Sequence, residues 1–61
     1  MNASLLDMEA NRKKLQLFQQ TAETLLRALA VRGFYGEGAI RIVVQDGVIQ
    51  EIREERRRKV R

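Results

Sequence analysis

The side chains that could carry out chemistry in this chain are few and scattered. The sequence contains neither histidine nor cysteine, which removes the usual zinc ligands and any disulfide. Nucleophilic or metal chemistry would have to use Ser4, Thr21, Thr24, a lysine or a carboxylate. The pattern around these hydroxyl residues supplies no base with an orienting partner. Because a chain of 61 residues can hardly enclose a water-excluded pocket, we expect no enzymatic activity, no cofactor and no metal.

Positive charge is the second chemical resource of the sequence. The net charge is +4, five of the last six residues are basic, and a second basic cluster occupies residues 12–14. Guanidinium groups bind phosphate oxygens through paired N–H donors, so these clusters favour sequence-tolerant, salt-sensitive contact with nucleic acid. The alternative is a solvated extension of a strand, or a disordered tail. The candidate phosphate contacts are Arg12, Lys13, Lys14, Arg56, Arg57, Arg58, Lys59 and Arg61.

The first half of the chain has the pattern of a long helix. Residues 4–32 contain no glycine or proline and consist mostly of strong helix formers. Asn2 and Ser4 are both candidate N-caps. Gly33 fits the left-handed position that follows many helices, and this would place Phe34 to pack back on the last turn. The sequence therefore predicts a helix from about residue 4 to 32, with the first ten residues as part of it or as a separate turn.

A stripe of apolar residues repeats along this helix at alternating spacings of three and four. Asn11 and the basic residues that follow it interrupt the stripe near its start. Such a stripe normally faces another element, so its residues are expected to form a core or a subunit interface.

The second half of the chain has the pattern of a β-hairpin that turns at Asp46-Gly47. We expect a glycine-rich turn over residues 33–38, the hairpin over residues 39–54 and a basic tail over residues 55–61.

Two registers are open to this hairpin. A two-residue loop at Asp46-Gly47 pairs Val44 with Ile49. A three-residue loop with Gly47 in a bulge pairs Val44 with Val48, and it also gives an ion pair and further apolar pairs across the strands. The second register is favoured for these pairs, which are Val43 with Ile49, Arg41 with Glu51, and Ile40 with Ile52. It places one face against the helix, formed by Ile40, Ile42, Val44, Val48 and Ile52.

Size and geometry predict self-association. A chain this short is marginally stable alone. Because it has no disulfides and no zinc site, the remaining way to stabilise it is association with a second copy. The predicted helix spans roughly 43 Å and the predicted strands roughly 23 Å, so the hairpin would not cover its own helix. The expected oligomer interface consists of Leu15, Phe18, Ala22, Leu25, Leu26, Leu29, Val43 and Ile49.

From Tyr35 onward, the chain resembles the YezD-like family, small bacterial proteins of unknown function. In both, Tyr-Gly precedes a strand that leads through apolar positions at every second residue to an Asp-Gly turn. The matching positions are Ile40, Ile42, Val44, Gln45, Asp46, Gly47, Ile49 and Ile52, after Tyr35-Gly36. The departures are the two extra residues Glu37 and Gly38, then Val48, Gln50 and Glu51-Ile52-Arg53. The resemblance implies a helix followed by an antiparallel hairpin, and no established activity.

Taken together, these patterns predict one α+β domain with a long N-terminal α-helix and a two-stranded antiparallel β-hairpin, assembled as a dimer or higher oligomer. We expect a small accessory or regulatory protein of bacterial or phage type that acts by protein–protein interaction. The alternative is a regulator that binds nucleic acid through the basic tail. Expected partners are a second copy, another protein or nucleic acid, and neither a membrane nor a metal. The amino terminus lacks the pattern of a signal peptide, so a cytoplasmic location is expected.

Overall fold

The computed structural model describes residues 3–60. In chain order it contains helix α1 (Glu9–Leu29), strand β1 (Gly36–Gln45) and strand β2 (Val48–Arg58). The two strands pair antiparallel in a two-stranded sheet. The predicted α+β order of one helix followed by a hairpin is confirmed. Within the described residues, no helix combines the length and the apolar content needed to cross a membrane.

The helix begins at Glu9, and the residues before it form a separate turn, which is one of the two alternatives that the sequence left open. Ser4 accepts a hydrogen bond from the backbone N–H of Leu6 (3.1 Å), and the N–H of Met8 closes a turn onto the carbonyl of Leu5 (3.0 Å). Leu5 also lies over the hairpin turn, because a Cβ added to Gly47 would meet its side chain at 2.8 Å. The residues before the helix therefore pack against the hairpin turn. Helix α1 starts at Glu9 with no side-chain cap. The other candidate cap, Asn2, lies outside the described residues.

The helix also ends earlier, at Leu29 rather than near residue 32. The N–H of Phe34 bonds to the carbonyl of Val31 (3.2 Å), and Gly33 adopts φ +92° within this turn. The left-handed conformation expected of Gly33 is present, but it serves a β-turn instead of the end of the last helical turn. The early exit lets the chain reverse in time for Gly36 to pair with Arg58 at the far end of the sheet.

The favoured hairpin register is wrong: the structure has the two-residue loop of the other alternative and then shifts to a register that neither alternative contains. Asp46 (φ +50°) and Gly47 (φ +78°) form a two-residue loop of the kind that matches the right-handed twist of paired strands. Val44 therefore lies opposite Ile49 and not opposite Val48. The register then shifts by one residue, because β2 accommodates Gln50 as an extra residue in a bulge.

The bulge decides which side chains share a face. Without it, Ile42 would lie opposite Glu51, whereas the shift places Ile42 opposite Ile52 and moves Glu51 to the other face. The predicted pairs Ile40–Ile52 and Arg41–Glu51 are consequently absent, and Ile40 lies opposite Glu54. A polar residue is thus accommodated in the bulge while an apolar pair is restored on the face beneath the helix.

The helix crosses the hairpin diagonally. At the turn, the Asn11 side chain bonds to the backbone of Gly47 in the loop and of Ile49 in β2. At the open end, Leu25 and Leu29 lie against Gly38 of β1. The helix consequently packs mainly on β2 and leaves the inner face of β1 open near the turn.

The strands are longer than predicted, and β2 continues through most of the basic tail to Arg58. The N–H of Lys59 then bonds to the carbonyl of Tyr35 (2.8 Å). The 21-residue helix spans about 32 Å, and the 11-residue strand β2 about 36 Å. The predicted difference in length between helix and strands is therefore wrong. The hairpin is long enough to cover its own helix.

Gly38 allows the close approach of helix and sheet, so replacing it should destabilise the fold. Its φ is not in the left-handed region, but an added Cβ would collide with Leu29 and contact Leu25 at 3.3 Å. We expect Gly38→Ala to lower the free energy of unfolding by about 1–3 kcal/mol, as overpacking usually does. Urea unfolding followed by circular dichroism measures this.

The matched control for this prediction is Ala39→Val, which adds volume at the next position of β1, on the opposite face of the strand. We expect it to change stability by less than about 0.5 kcal/mol. An equal loss in both variants would contradict the close-approach role of Gly38.

Candidate interaction surface

A single buried amide fixes how the helix sits on the hairpin. Asn11 is 2% exposed, and its Nδ2 donates to the carbonyls of Leu5 and Gly47, both at 2.9 Å. Its Oδ1 accepts the backbone N–H of Ile49 at 2.8 Å. One side chain thereby joins the N-terminal segment, the start of α1 and the hairpin turn.

The Asn11 amide makes the same hydrogen bonds to the edge of β2 that a neighbouring strand would make. The carbonyl of Gly47 and the N–H of Ile49 lie two residues apart on the edge that faces away from β1. The Asn11 side chain donates a hydrogen bond to this carbonyl and accepts one from this N–H. These are the reciprocal N–H···O bonds that peptide units exchange in an antiparallel ladder. The outer edge of β2 is therefore satisfied near the turn by the protein's own side chain.

The apolar stripe of α1 faces the hairpin of its own chain. Leu25 (5% exposed) is the one buried apolar residue among those described. The other predicted interface residues of the stripe are partly buried, with the exception of Leu26, which is exposed. The partly buried set is Leu15, Phe18, Ala22 and Leu29. The structure thus places most of the stripe in the chain's own small core and leaves Leu26 at the surface.

Three consecutive apolar residues of β1 are left uncovered near the turn. Val44 is 53% exposed, Ile42 47% and Val43 40%. Ile42 and Val44 lie on the inner face, beside the diagonal helix, and Val43 lies on the outer face. Of the two predicted hairpin contacts, Val43 belongs to this surface, whereas Ile49 is partly covered and bonds to Asn11. We call Ile42, Val43 and Val44, with the free edge of β1, the β1 surface.

The surface area of the chain is large for its mass. A compact folded monomer of 7.1 kDa exposes about 4,100 Å², whereas this chain exposes 5440 Å². The radius of gyration is 14.5 Å, against about 10.5 Å for a compact domain of this length. The protein is an elongated body, 46 × 19 × 16 Å. It carries about 1,300 Å² of accessible surface beyond the expectation for a compact monomer.

The outer face of the hairpin is held by charge. Arg41 pairs with Glu55 (3.4 Å) and not with Glu51 as predicted, because the bulge moved Glu51 opposite Val43. Glu51 instead pairs with Arg53 (2.7 Å). The hydrogen bond and the negative charge of Glu51 raise the pKa of the Arg53 guanidinium. Because these groups are largely exposed, the pairs contribute little stability individually, but they surround Val43 with polar groups.

The candidate phosphate contacts are distributed over both ends of the molecule. Residues 12–14 lie at the end of the molecule that contains the hairpin turn. Arg58 pairs with Gly36 at the opposite end. Arg56 is bound by Glu54 (2.8 Å), and Arg57 lies 4.0 Å from Glu37. Arg58 lies over the ring of Phe34 at 5.9 Å. Within one described chain, these basic residues do not form a single surface, and Arg61 lies outside the described residues.

The hydroxyl and carboxylate residues considered for chemistry lie in separate parts of the described chain. Over residues 3–60, no three carboxylates are placed to hold a metal ion. Thr21 and Thr24 line a shallow depression between α1 and β2, with Leu17, Ile52 and Glu54. Ser4 lies elsewhere, beside the turn. Thr21 and Thr24 therefore lie near Glu54, whereas Ser4 lies apart from them.

The functional residue that the sequence pattern did not reveal is Asn11. In the sequence it was interpreted only as an interruption of the apolar stripe. Its spacing carried a signal, because residues 11, 15, 18, 22, 25 and 29 continue the alternation of four and three without a break. A polar residue in phase with an apolar stripe is placed where it will be buried, and a buried amide needs partners.

Comparison with protein-family models, with curated proteins and with solved structures finds no match to this chain.

Proposed function

We propose that the chain is a self-associating, non-enzymatic accessory or regulatory protein that acts through protein–protein contact at the β1 surface. The surface area supports this proposal most directly. A standard protein–protein interface removes about 800 Å² from each partner, and the chain carries about 1,300 Å² beyond that of a compact monomer.

The composition of the β1 surface agrees with this role. Scattered exposed apolar residues are normal in a soluble protein, but three in succession along an unpaired edge strand are a template for pairing. Valine and isoleucine also have a high preference for paired strands. An interface built here would combine apolar contact with backbone hydrogen bonds, which is how strand addition recognises partners.

The direct test is sedimentation velocity of the full chain over a wide range of concentration. We expect the wild type to sediment as a species larger than a monomer, and Val43→Lys to weaken self-association at least about tenfold, since a lysine in the middle of an edge strand opposes pairing. Circular dichroism should show that the variant keeps its helix and hairpin.

Val31→Lys is the matched control, because Val31 is another exposed valine, in the turn after α1 and outside β1. It makes the same change of size and charge. A wild type that stays monomeric at every concentration would overturn the proposal, and an equal effect of both lysines would reduce it to non-specific repulsion.

A further inference from the structure

We propose that the second copy docks by pairing its β1 with β1 of the first copy, antiparallel and with Val43 opposite the Val43 of the second copy. The product is a four-stranded antiparallel sheet with order β2-β1-β1-β2 and both helices on one face. This inference rests on the proposed function and assigns the strand, the direction and the register.

The choice of strand follows from the state of the two sheet edges. Near the turn, the outer edge of β2 is already bound by Asn11, and α1 lies above it. The outer edge of β1 extends over ten residues and has no paired strand within residues 3–60. The N–H of Ile49 points away from β1, and Ile49 lies opposite Val44. The alternation of the ladder then directs the backbone groups of Val44, Ile42 and Ile40 to the free edge of β1.

The direction of pairing follows from symmetry. Two identical edges that meet around a twofold axis perpendicular to the sheet run antiparallel, and only the residue on the axis lies opposite its own counterpart. The same symmetry places both helices on the same face of the joined sheet. The uncovered inner face of β1 near the turn consequently lies beside the same face of the other copy. The exposed Ile42 and Val44 side chains of the two chains then cover one another.

The register follows from matching side chains. With Val43 at the axis, Ile42 lies opposite the Val44 of the second copy, and Arg41 opposite its Gln45. All three exposed apolar residues then gain apolar neighbours. An axis at Ile42 would set Val43 against a guanidinium already paired with Glu55. An axis at Arg41 would oppose two like charges directly, which is destabilising.

An axis at Ala39 is a further competitor, because it would set Arg41 opposite the Glu37 of the second copy. Both groups already have partners within the chain, at Glu55 and Arg57 respectively. That register would also place Ile42 opposite glycine and leave Val44 beyond the paired segment. It therefore gains little in charge and leaves the most exposed apolar side chain uncovered.

The same assembly explains why growth would stop at two chains. Pairing uses the free edge of β1 in both copies and leaves the outer edges of β2 at the two sides of the sheet. Each of these edges is occupied near the turn by Asn11 and carries charged residues towards the open end. Charged edges oppose further strand pairing, so the dimer is closed.

Cysteine cross-linking tests the register directly, because the chain has no cysteine of its own. A single introduced cysteine can form a disulfide only with a second copy. Val43 would occupy a non-hydrogen-bonded pair across the axis, where Cα atoms are about 4.5 Å apart and within the range of a disulfide. We expect Val43→Cys to form a covalent dimer under mild oxidation at least about tenfold faster than Ala39→Cys, whose sulfurs would be separated by roughly 26 Å along the strands.

The comparison variants separate the alternatives. Ala39→Cys reacting fastest would indicate the register with Ala39 at the axis, and Ile42→Cys reacting fastest would indicate the one with Ile42 there. Either result overturns the inferred register while the proposed function stands. If the wild type sediments as a dimer and the three variants cross-link equally slowly, β1 is not the interface. If the wild type is a monomer, the proposed function fails together with this inference.

Discussion

Asn11→Asp is expected to unfold most of the protein at neutral pH. The amide donates to two carbonyls at 2.9 Å, and a carboxylate at the same place would face both oxygens with no proton to offer. Leaving a buried charge without a partner costs about 3–5 kcal/mol. A single small core supplies no more than about 3–5 kcal/mol in total, so the variant has little stability left. Far-ultraviolet circular dichroism during urea unfolding measures the loss.

The Asn11→Asp variant should also recover part of its stability on acidification. Burial and the two facing carbonyls favour the protonated acid, so the pKa of the introduced carboxyl is raised above its unfolded value of about 3.9. Between these two pKa values the folded state binds more protons than the unfolded state. Stability therefore falls as pH rises through this window and is lowest above the folded pKa.

The matched control is Gln19→Glu, which converts an exposed amide of the same helix into a carboxylate. We expect it to change stability by less than about 0.5 kcal/mol and without acid recovery. If Asn11→Asp were as stable as Gln19→Glu at neutral pH, Asn11 would not hold the helix to the hairpin.

The second large effect is expected for Leu25→Ala. Leu25 is the one buried apolar side chain of the described residues, and it contacts the sheet at Gly38. Truncating a buried leucine costs about 2–5 kcal/mol, through lost burial and the cavity that remains. For a domain of this size, that loss is comparable with the entire stability. Thermal and urea unfolding should both show a broad or absent transition.

Leu17→Ala is the corresponding control, since it removes the same atoms from the same helix at a side chain that is already 41% exposed. We expect it to cost less than about 1 kcal/mol. Similar losses for both leucines would mean that the helix is held mainly by its ends and not by packing at Leu25.

The order of elements was accessible from the sequence because each element has its own periodicity. The apolar stripe of α1 and the Asp46-Gly47 turn are local patterns, and both are present in the structure. The bounds of α1 were not accessible, because its start depends on Leu5 and Asn11 reaching residues more than thirty positions away in the chain. Local propensity alone would continue the helix in both directions.

The hairpin register failed for a similar reason. Two straight alternatives were compared by their cross-strand pairs, and neither allowed a bulge away from the turn. The bulge at Gln50 joins the loop of one alternative to an apolar pairing that neither contains, Ile42 with Ile52. The candidate surface was predicted only in part. Val43 was included in the expected oligomer interface, but the exposure of Ile42 and Val44 depends on the diagonal crossing of α1.

The hydrogen bonds of Asn11 have a consequence for folding cooperativity. They join residues 36 and 38 positions apart, so they form only when the helix start and the hairpin turn have already met. The bond to the Leu5 carbonyl makes the N-terminal segment depend on the same encounter. Three segments that would be marginal individually are therefore expected to gain and lose their order in one step, with a single amide as the point where their equilibria are coupled.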